Sequence, residues 1–290
     1  MVKINKIIKL LLCITIFLLF SSSTIGLASE PSRDITIIKK KELSNQPNVK
    51  SNSMVLHREN SNMVSEKAKK KQKIVVLNYH CINDKIYGVK DLFVTPKEFE
   101  KQMKYLKDKK YSVISLDEIG LDNKIVKPVV ITFDDGYENN YTHAYPILKK
   151  YGFKATIFII TDLLERPLYL KKSQIKVSSD VFSFQSHTMS HKKLTELSDE
   201  KLKNQLEESK KRIEDITHQD VFALAFPYGK YNDNVLKEVK KYYSMSFTVN
   251  YGYLVETSDN YEIPRIGIGP NDTISVFKKK LTEANKQNPT

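Results

Sequence analysis

Two adjacent carboxylates follow an apolar run and precede a glycine, in the order Thr132-Phe133-Asp134-Asp135-Gly136. Successive residues of a strand point to opposite faces, so both acids can serve one site only where the strand breaks into a turn. Gly136 permits that break because glycine adopts backbone conformations that other residues avoid. One acid can then bind a metal while the other acts as a base. A solvated turn at a strand end is the structural alternative.

Two histidines, His187 and His191, lie in the segment Ser186-His187-Thr188-Met189-Ser190-His191. Histidines at this spacing can meet on one helical turn and share a metal ion. No glutamate follows His187, so the segment is not the His-Glu-x-x-His helix of zinc proteases. Ordinary hydrogen-bonded histidines are the alternative. Combined with two aspartates at a neighbouring strand end, the pair favours a metal site.

A third candidate, His80, ends the segment Asn78-Tyr79-His80 and is followed by Cys81. A histidine at the end of a strand can act as a general acid, since its pKa lies near neutrality. A purely structural histidine is the alternative. Cys81 can be a third metal ligand, but a buried, small apolar side chain is the simpler interpretation.

Two further candidate segments lie at the end of an apolar run or within one. Phe226-Pro227-Tyr228-Gly229 fixes a tight turn, whose backbone N–H groups can hold an oxyanion and whose tyrosine can line a sugar pocket. Arg265 lies within the apolar segment Ile263-Pro264-Arg265-Ile266, and a buried arginine requires a carboxylate partner. Asp134 and Asp135 are both candidates for that partner, which would lower the pKa of the acid.

All these segments lie at or near the ends of predicted strands. Short β-rich runs alternate with amphipathic stretches, and several runs are continuously apolar, as parallel strands buried on both faces are. Strands are predicted over 74–79, 112–115, 129–133, 155–160, 181–185, 222–226, 245–249 and 263–268. Helices are predicted over 96–109, 139–151, 198–217, 232–241 and 273–285. About seven or eight such units suit an α/β barrel, whose chemistry lies at the C-terminal ends of its strands.

The N-terminus has the pattern of a secretory signal peptide over residues 1–28. Lysines precede the apolar run from Leu10 to Phe20, and Gly26-Leu27-Ala28 offers a cleavage site. The run is about half the length of a membrane span, although an uncleaved anchor stays open. Residues 29–73 contain no aromatic residue and predict a basic, disordered tether before a domain over 74–290. We therefore expect a secreted protein, extracellular or associated with the cell wall or surface.

The composition narrows the class of protein. The chain of 290 residues has 47 Lys and Arg against 34 Asp and Glu, a net charge of +13, and 2 cysteines. Collagen, a disulfide-dense mini-protein and a multi-span membrane protein are excluded. Cleavage after residue 28 would leave Cys81 without an internal disulfide partner. The charge favours an anionic wall or membrane surface over nucleic acid as a partner, with simple solubility as an equal alternative.

In this order, the five segments resemble the polysaccharide deacetylase family, also called carbohydrate esterase family 4 or the NodB-homology group. The combination of Phe-Asp-Asp-Gly, Ser-His-Thr-x-x-His and Pro-Tyr-Gly carries the resemblance, which covers about residues 74–285. The chain is most similar to exported deacetylases of poly-β-1,6-N-acetylglucosamine, the intercellular-adhesion type of biofilm formers. In that branch a Tyr-His pair on the first strand carries the acid histidine, and Tyr79-His80 matches it.

The resemblance implies a distorted (β/α) barrel of about seven parallel strands. By the same resemblance, Asp135, His187 and His191 would bind a divalent metal. Zinc is the default, and cobalt, nickel or iron also suit two nitrogens and one oxygen.

It also implies the catalytic roles. Asp134 would be the general base, His80 the general acid, and the backbone N–H of Tyr228 part of an oxyanion hole. Arg265 would orient Asp134. Many relatives carry an arginine shortly before the Pro-Tyr pair, where this chain has Ala225-Phe226, so Arg265 would take over that role.

The expected activity is metal-dependent N-deacetylation of an N-acetylglucosamine polysaccharide, first of all poly-β-1,6-N-acetylglucosamine, by a monomer that releases acetate. Peptidoglycan or chitooligosaccharide deacetylation, O-acetyl ester hydrolysis and a non-catalytic glycan-binding module are the alternatives. The missing arginine supports the last of these. A glycosidase fits less well, because its carboxylates flank the bond about 5–9.5 Å apart, whereas Asp134 and Asp135 are successive residues.

Overall fold

Parallel strands surround a narrow interior and bring their C-terminal ends to one rim. The computed structural model describes residues 73–120, 125–255 and 258–286. Its strands are β1 Lys73–Tyr79, β2 Cys81–Ile82, β3 Phe93–Val94, β4 Ser112–Val113, β5 Pro128–Phe133, β6 Ala155–Ile159, β7 Phe182–Ser186, β8 Ala223–Ala225, β9 Met245–Phe247, β10 Leu254–Val255 and β11 Ile266–Gly267. Its helices are α1 Pro96–Asp108, α2 Tyr145–Tyr151, α3 Lys172–Ser178, α4 Asp199–Thr217, α5 Asp233–Val239 and α6 Ile274–Lys286.

The main sheet has the order β10-β1-β5-β6-β7-β8-β9, with β4 beside the start of β5 and β11 beside β1. Every pairing is parallel except that of β10 with β1. The segment around β11 closes the ring. Ile263 forms a parallel bridge with Phe247 of β9, and Ile266 then pairs with Leu77 of β1. The predicted distorted barrel of parallel strands is confirmed.

Alternate residues of β1 enter two separate apolar clusters. Val75 and Leu77 pack with residues of the helices, such as Phe99 and Leu206, in the larger cluster. Val76 packs inside the barrel in the smaller cluster, with Val130, Phe158, Ala225, Phe247 and Ile263 among its members. Strands buried on both faces must be apolar at nearly every position. This requirement explains the continuous apolar runs that predicted them.

The predicted helices and strands are all present, with ends shifted by a few residues. Thr95 caps α1 by accepting the N–H of Glu98 at 3.2 Å, and Pro96 is the first helical residue, as predicted. The helix predicted over 139–151 begins as a π-helical turn, Asn140–Ala144, before α2. The prediction missed the short strands β2, β3 and β10 and the helix α3.

The predicted signal peptide, residues 1–28, and the tether up to residue 72 lie outside the described residues. β1 begins at Lys73, one residue before the predicted start of the domain. Within the part that the structure describes, no helix combines the length and the apolar character needed to cross a membrane.

A close approach of two rim loops makes one glycine necessary. Gly229 has φ +64°, and a Cβ added there would overlap Cγ2 of Val249 and lie 3.1 Å from the Val249 nitrogen. Gly152 at the end of α2 has a similar φ of +70°, with nothing within 4 Å of an added Cβ. The two positions therefore separate backbone strain from steric overlap.

We predict that Gly229→Ala lowers the free energy of unfolding by about 1–3 kcal/mol more than Gly152→Ala, because it adds overpacking to the strain of a positive φ. Denaturant unfolding of both variants measures the difference. Equal losses in the two variants would contradict the close approach.

Candidate active site

The side chains of Asp135, His187 and His191 converge at the rim. One possible ligand atom from each lies within 4.8 Å of those of the others. Oδ1 of Asp135 lies 3.5 Å from Nε2 of His187 and 3.6 Å from Nε2 of His191. Ligands bound about 2.0–2.2 Å from a common zinc ion would be about 3.3–3.6 Å apart at a tetrahedral edge. The donor set and its spacing therefore fit a divalent metal.

A reversal of the backbone after β5 separates the two aspartates. Asp135 has φ +72° and Gly136 has φ +78°, so the strand breaks where the sequence predicts a turn. The N–H of Asp134 still bonds to the carbonyl of Tyr79 on the neighbouring β1, at 2.9 Å. Asp134 therefore ends the sheet, while Asp135 already belongs to the loop. Positive φ at a non-glycine residue is costly, and such strain concentrates at functional sites.

The two histidines meet through a tight loop, which corrects the helical turn predicted from their spacing. Thr188 has φ +67° and His191 has φ +56°, values that a right-handed helix excludes. The loop is held from within, since the N–H of His191 donates to Oγ1 of Thr188 at 3.3 Å. It is also held by α4, where Oε1 of Gln205 accepts the N–H of Ser190 at 3.0 Å.

The hydrogen bond of His187 leaves Nε2, the nitrogen that faces Asp135, available. Its Nδ1 lies 2.7 Å from the carbonyl oxygen of Ala225, an acceptor, so Nδ1 carries the proton and Nε2 presents a lone pair. Burial lowers the pKa of His187 to about 3, and burial also lowers the pKa of His191. Both imidazoles are therefore neutral at pH 7, as metal ligands must be.

Without a nearby cation, a negative charge on the Asp135 carboxylate is unfavourable. Burial, and then the negative charge of Asp134, raise the pKa of Asp135 to about 7. A cation among the three ligand atoms would offset both effects and favour the ionised carboxylate. The electrostatics of the cluster therefore agree with its geometry in indicating a metal site.

Asp134 is held by a bidentate ion pair with Arg265. Nη1 of Arg265 donates to Oδ1 at 2.8 Å and Nη2 donates to Oδ2 at 2.7 Å. Arg265 is 1% exposed and Asp134 is 2% exposed, so the pair lies fully inside the protein. Of the two carboxylates that the sequence left open as partners of Arg265, the structure places Asp134 in contact.

The remaining donors of Arg265 are also used. Its Nε donates to the carbonyl of Thr248 at 2.9 Å, and Nη1 also reaches Oγ1 of Thr132 at 3.3 Å. The guanidinium lies over the rings of Phe158 and Phe247, 5.6 and 6.0 Å from their centroids. Burial alone would raise the pKa of Asp134, but the charge of Arg265 outweighs it and holds that pKa well below its usual range. Asp134 is therefore ionised at pH 7.

His80 faces Asp134 from the end of β1, with Nε2 4.0 Å from Oδ2. Its side chain is 21% exposed, so it borders both the buried pair and the solvent. Burial lowers the pKa of His80, partly opposed by the negative charge of Asp134. His80 is therefore neutral at pH 7 and can accept a proton at its ring.

Cys81 lies in the core. It is fully buried, its thiol is free, and burial raises its pKa to about 12. Asp135 groups with the two histidines without it. The simpler interpretation of Cys81, a buried apolar residue, agrees with this placement.

Tyr228 completes the rim beside His191, with ring centroids 4.5 Å apart. Its side chain is 55% exposed, and its backbone has φ +57°. The turn is closed by the N–H of Gly229, which donates to the carbonyl of Phe226 at 2.9 Å. The sequence thus correctly predicts a tight turn next to the cluster.

Sequence reasoning missed the residues that act through backbone atoms. The carbonyls of Ala225 and Thr248 fix His187 and Arg265, and a carbonyl leaves no residue-type signal in a sequence. The Thr132 hydroxyl had a signal, since it is a polar side chain at the end of an apolar run and adjoins the Asp134 segment. It donates to the carbonyl of Leu77 at 2.8 Å and accepts from Arg265.

Known proteins are similar to this chain in sequence and in fold. Residues 122–245 match the sequence profile of the family described as polysaccharide deacetylase. YxkH of Bacillus subtilis (strain 168), whose name places it among the polysaccharide deacetylases, is 36% identical over 218 residues, covering 73% of this chain and 77% of that protein. The poly-β-1,6-N-acetyl-D-glucosamine N-deacetylase of Staphylococcus aureus (strain MSSA476) is 30% identical over 247 residues, covering 72% of this chain and 83% of that protein.

The solved structure of the Streptococcus pyogenes deacetylase PplD in complex with acetate aligns with a TM-score of 0.69 at 30% identity, covering 73% of this chain and 99% of that one. The chain therefore belongs to the polysaccharide deacetylase family, hydrolases that act on the amide bonds of N-acetylated sugars. This confirms the resemblance inferred from the five segments. The family generally uses a divalent metal, and the Asp135, His187 and His191 cluster is a possible site for one.

We predict that His187→Ala and Asp135→Asn each weaken zinc binding by more than about 100-fold, the upper range for loss of a residue that only supports a ligand. Isothermal titration calorimetry with a competing chelator measures the affinity. Cys81→Ala is the matched control and should bind zinc as the unaltered protein does. Loss of affinity in that control would instead make Cys81 a ligand.

We predict that Arg265→Met lowers the free energy of unfolding by about 3–5 kcal/mol, because it leaves the Asp134 carboxylate buried without a partner. The double variant Arg265→Met, Asp134→Asn should lose less than the sum of the single variants. Lys104→Met removes a surface ion pair with Asp108 and should leave the unfolding midpoint unchanged. Additive losses in the double variant would show that the two residues do not interact.

Proposed function

We propose that this protein removes acetyl groups from N-acetylglucosamine units of a surface polysaccharide, with poly-β-1,6-N-acetylglucosamine as the first candidate. A divalent metal, zinc by default, would be held by Asp135, His187 and His191. The observation that carries this proposal is a second carboxylate, Asp134, fixed by Arg265 directly beside that cluster. A metal-binding role alone would not require an ionised, oriented carboxylate there.

Asp135, His187 and His191 would hold a divalent metal, which would supply Lewis acidity to lower the pKa of a water molecule and to polarise the acetyl carbonyl. Asp134 accepts the proton of that water at Oδ2 as the oxygen adds to the acetyl carbon. Because the pKa of Asp134 is held low, the carboxylate binds this proton weakly and passes it to Nε2 of His80, 4.0 Å away. His80 then protonates the leaving nitrogen while the C–N bond breaks, giving acetate and an amine. The backbone N–H of Tyr228 stabilises the negative oxygen that forms between these steps.

Two similarities support the choice of substrate. The S. aureus relative is named for the poly-β-1,6-N-acetyl-D-glucosamine whose N-acetyl groups it removes. The PplD structure contains acetate, the expected product of any such deacetylation. Peptidoglycan and chitooligosaccharides carry the same acetamido group and remain alternatives within this proposal, as does an O-acetyl ester.

The non-catalytic alternative rested on the missing arginine before Pro227, where the chain has Ala225 and Phe226. Arg265 supplies a guanidinium to Asp134 from the segment just before β11, with two hydrogen bonds. This contact supports a working base, since the carboxylate has the partner that its burial requires. It therefore favours the enzyme over the binding module.

The pattern of residues 1–28 and the basic composition of 29–73 support an exported enzyme that acts near an anionic cell surface. In this proposal the reaction takes place outside the cytoplasm, on glycan already assembled there. Fractionation of expressing cells, with mass spectrometry of the recovered chain, tests this. Recovery of the full chain solely from the cytoplasm would contradict export.

We predict metal-dependent acetate release from poly-β-1,6-N-acetylglucosamine, with peptidoglycan and chitopentaose run in parallel, and abolition of release by a chelator. Asp134→Asn should lower kcat by about 10²–10⁴-fold, the usual contribution of a general base. Asp117→Asn, an exposed aspartate elsewhere, is the control. A folded, metal-loaded protein that released no acetate from any glycan would disprove the proposal, and faster release from O-acetyl esters would redirect it.

A further inference from the structure

The end of the barrel opposite the candidate active site carries a row of exposed lysines. We propose that this row binds a linear anionic polymer of phosphodiester units, such as an anionic cell-wall polymer, while the rim at the other end stays free for the glycan. The row is called the lysine face, and its members are Lys107, Lys109, Lys110, Lys127 and Lys154. This inference goes beyond the proposed function and does not depend on which glycan is deacetylated.

The lysine face lies at the N-terminal ends of the strands, whereas the candidate metal ligands lie at the C-terminal ends. Lys127 directly precedes β5, Lys154 directly precedes β6, and the other three lysines lie at or just after the end of α1. The chain also enters β1 at this end of the barrel, after residues 67–72, which include four lysines. A polymer bound here would therefore leave the candidate active site open.

Side-chain contacts hold the row in place. Nζ of Lys127 donates to the carbonyl of Lys109 at 3.3 Å, and Nζ of Lys107 donates to the carbonyl of Tyr151 at 3.0 Å. Tyr151 ends α2 three residues before Lys154, so the row runs from the start of β5 across the ends of α1 and α2 to the start of β6. An ammonium group has three donors, so one such contact orients it and leaves donors for a phosphate.

The charge of the lysine face is not balanced by acids in the part of the chain that the structure describes. There, none of its five ammonium groups lies within 4.0 Å of a carboxylate oxygen. The neighbouring Asp108 is paired with Lys104 at 2.6 Å. Asp180 gives its backbone carbonyl to Nζ of Lys154, but its carboxylate is bound by Lys149 at 2.9 Å. An anionic partner would supply the missing negative charge.

Two lysines of the face occupy positions where the backbone disfavours a side chain. Lys110 has φ +54° and Lys127 has φ +51°, left-handed conformations in which glycine or asparagine is less strained. Lys110 also follows the C-terminal cap of α1, a position at which helices prefer glycine. Both side chains are exposed, so core packing does not explain them. A requirement for positive charge at these two positions does, because solubility alone could be met at unstrained positions.

The chemistry of the face favours a phosphodiester polymer over a membrane or a nucleic acid. Lysine binds phosphate as a point charge, and a row of lysines matches phosphates repeated along a chain. Among the described residues adjoining the row in sequence, Val126 is the exposed large apolar side chain, which is little apolar surface to insert into a bilayer. The exposed tyrosines on which bases could stack, Tyr228 and Tyr251, instead follow the C-terminal ends of β8 and β9.

The test removes three charges from the lysine face of the full chain. The triple variant carries three substitutions: Lys110→Asn, Lys127→Asn and Lys154→Gln. Asparagine tolerates positive φ at the two strained positions, so this variant should remain folded. The matched control removes the same charge from three exposed lysines of α1, α3 and α4: Lys97→Gln, Lys176→Gln and Lys211→Gln. Denaturant unfolding establishes that both variants are folded.

Binding to immobilised poly(glycerol phosphate) is measured by surface plasmon resonance over a series of salt concentrations. The unaltered protein and the control should bind alike, and the triple variant should bind about 10–100-fold more weakly, a few-fold for each lysine near an anionic surface. Its affinity should also fall less steeply with salt, since fewer phosphate contacts release fewer counterions. Residues 29–72 are the same in all three proteins, so their lysines cannot produce a difference. Acetate release from chitopentaose should be equal in all three.

Equal binding by the unaltered protein and the triple variant would overturn the inference, as would no binding by the unaltered protein. Equal losses in the triple variant and the control would also overturn it, since these would indicate net charge alone. Phosphatidylglycerol vesicles and single-stranded DNA are measured in parallel, and tighter binding to either than to the polymer would contradict the choice of partner. The binding result stands whether or not acetate is released, so a failure of the proposed function is recognised separately.

Discussion

The contact between Arg265 and Asp134 joins the closure of the barrel to its chemistry. Arg265 lies in the segment that bridges β9 and β1, and its N–H bonds to the carbonyl of Asn250 while its side chain crosses the interior to Asp134. Taking both charges out of water is costly, and their attraction offsets that cost only if the geometry is good and the other donors are used. Here the Thr248 carbonyl and two aromatic rings meet that requirement.

This contact explains why the two neighbouring aspartates differ in pKa. Asp134 ends the sheet beside a fixed positive charge, so its pKa is held low. Asp135, turned into the loop by a positive φ, has no fixed cation, and burial with the adjacent charge raises its pKa to about 7. Environments that push the pKa values of paired acids apart are the usual way in which one site obtains two roles from one residue type. The backbone reversal at Asp135 is what separates those environments.

The sequence predicted the strands well, because strands buried on both faces must be continuously apolar. It also predicted which polar residues lie at the rim, since each interrupts or ends such a run. The path of the loops could not be predicted from the sequence. The spacing of His187 and His191 suggested a helical turn, but Thr188 and His191 have positive φ. The loop that contains them is held by a hydrogen bond to the distant Gln205. For the same reason the sequence left Arg265 with two equally suitable carboxylate partners.

The closing segment also imposes an order of events on the newly made chain. Arg265 comes 131 residues after the carboxylate it neutralises, and β1, at the start of the domain, obtains its β11 neighbour only when residues 266–267 dock. A chain that grows from its N-terminus therefore contains every candidate metal ligand long before it can bury Asp134 as an ion pair. The closure of the barrel and the orientation of Asp134 are therefore completed together, and a chain that ended before Arg265 would carry the candidate metal ligands with an Asp134 that lacks its partner.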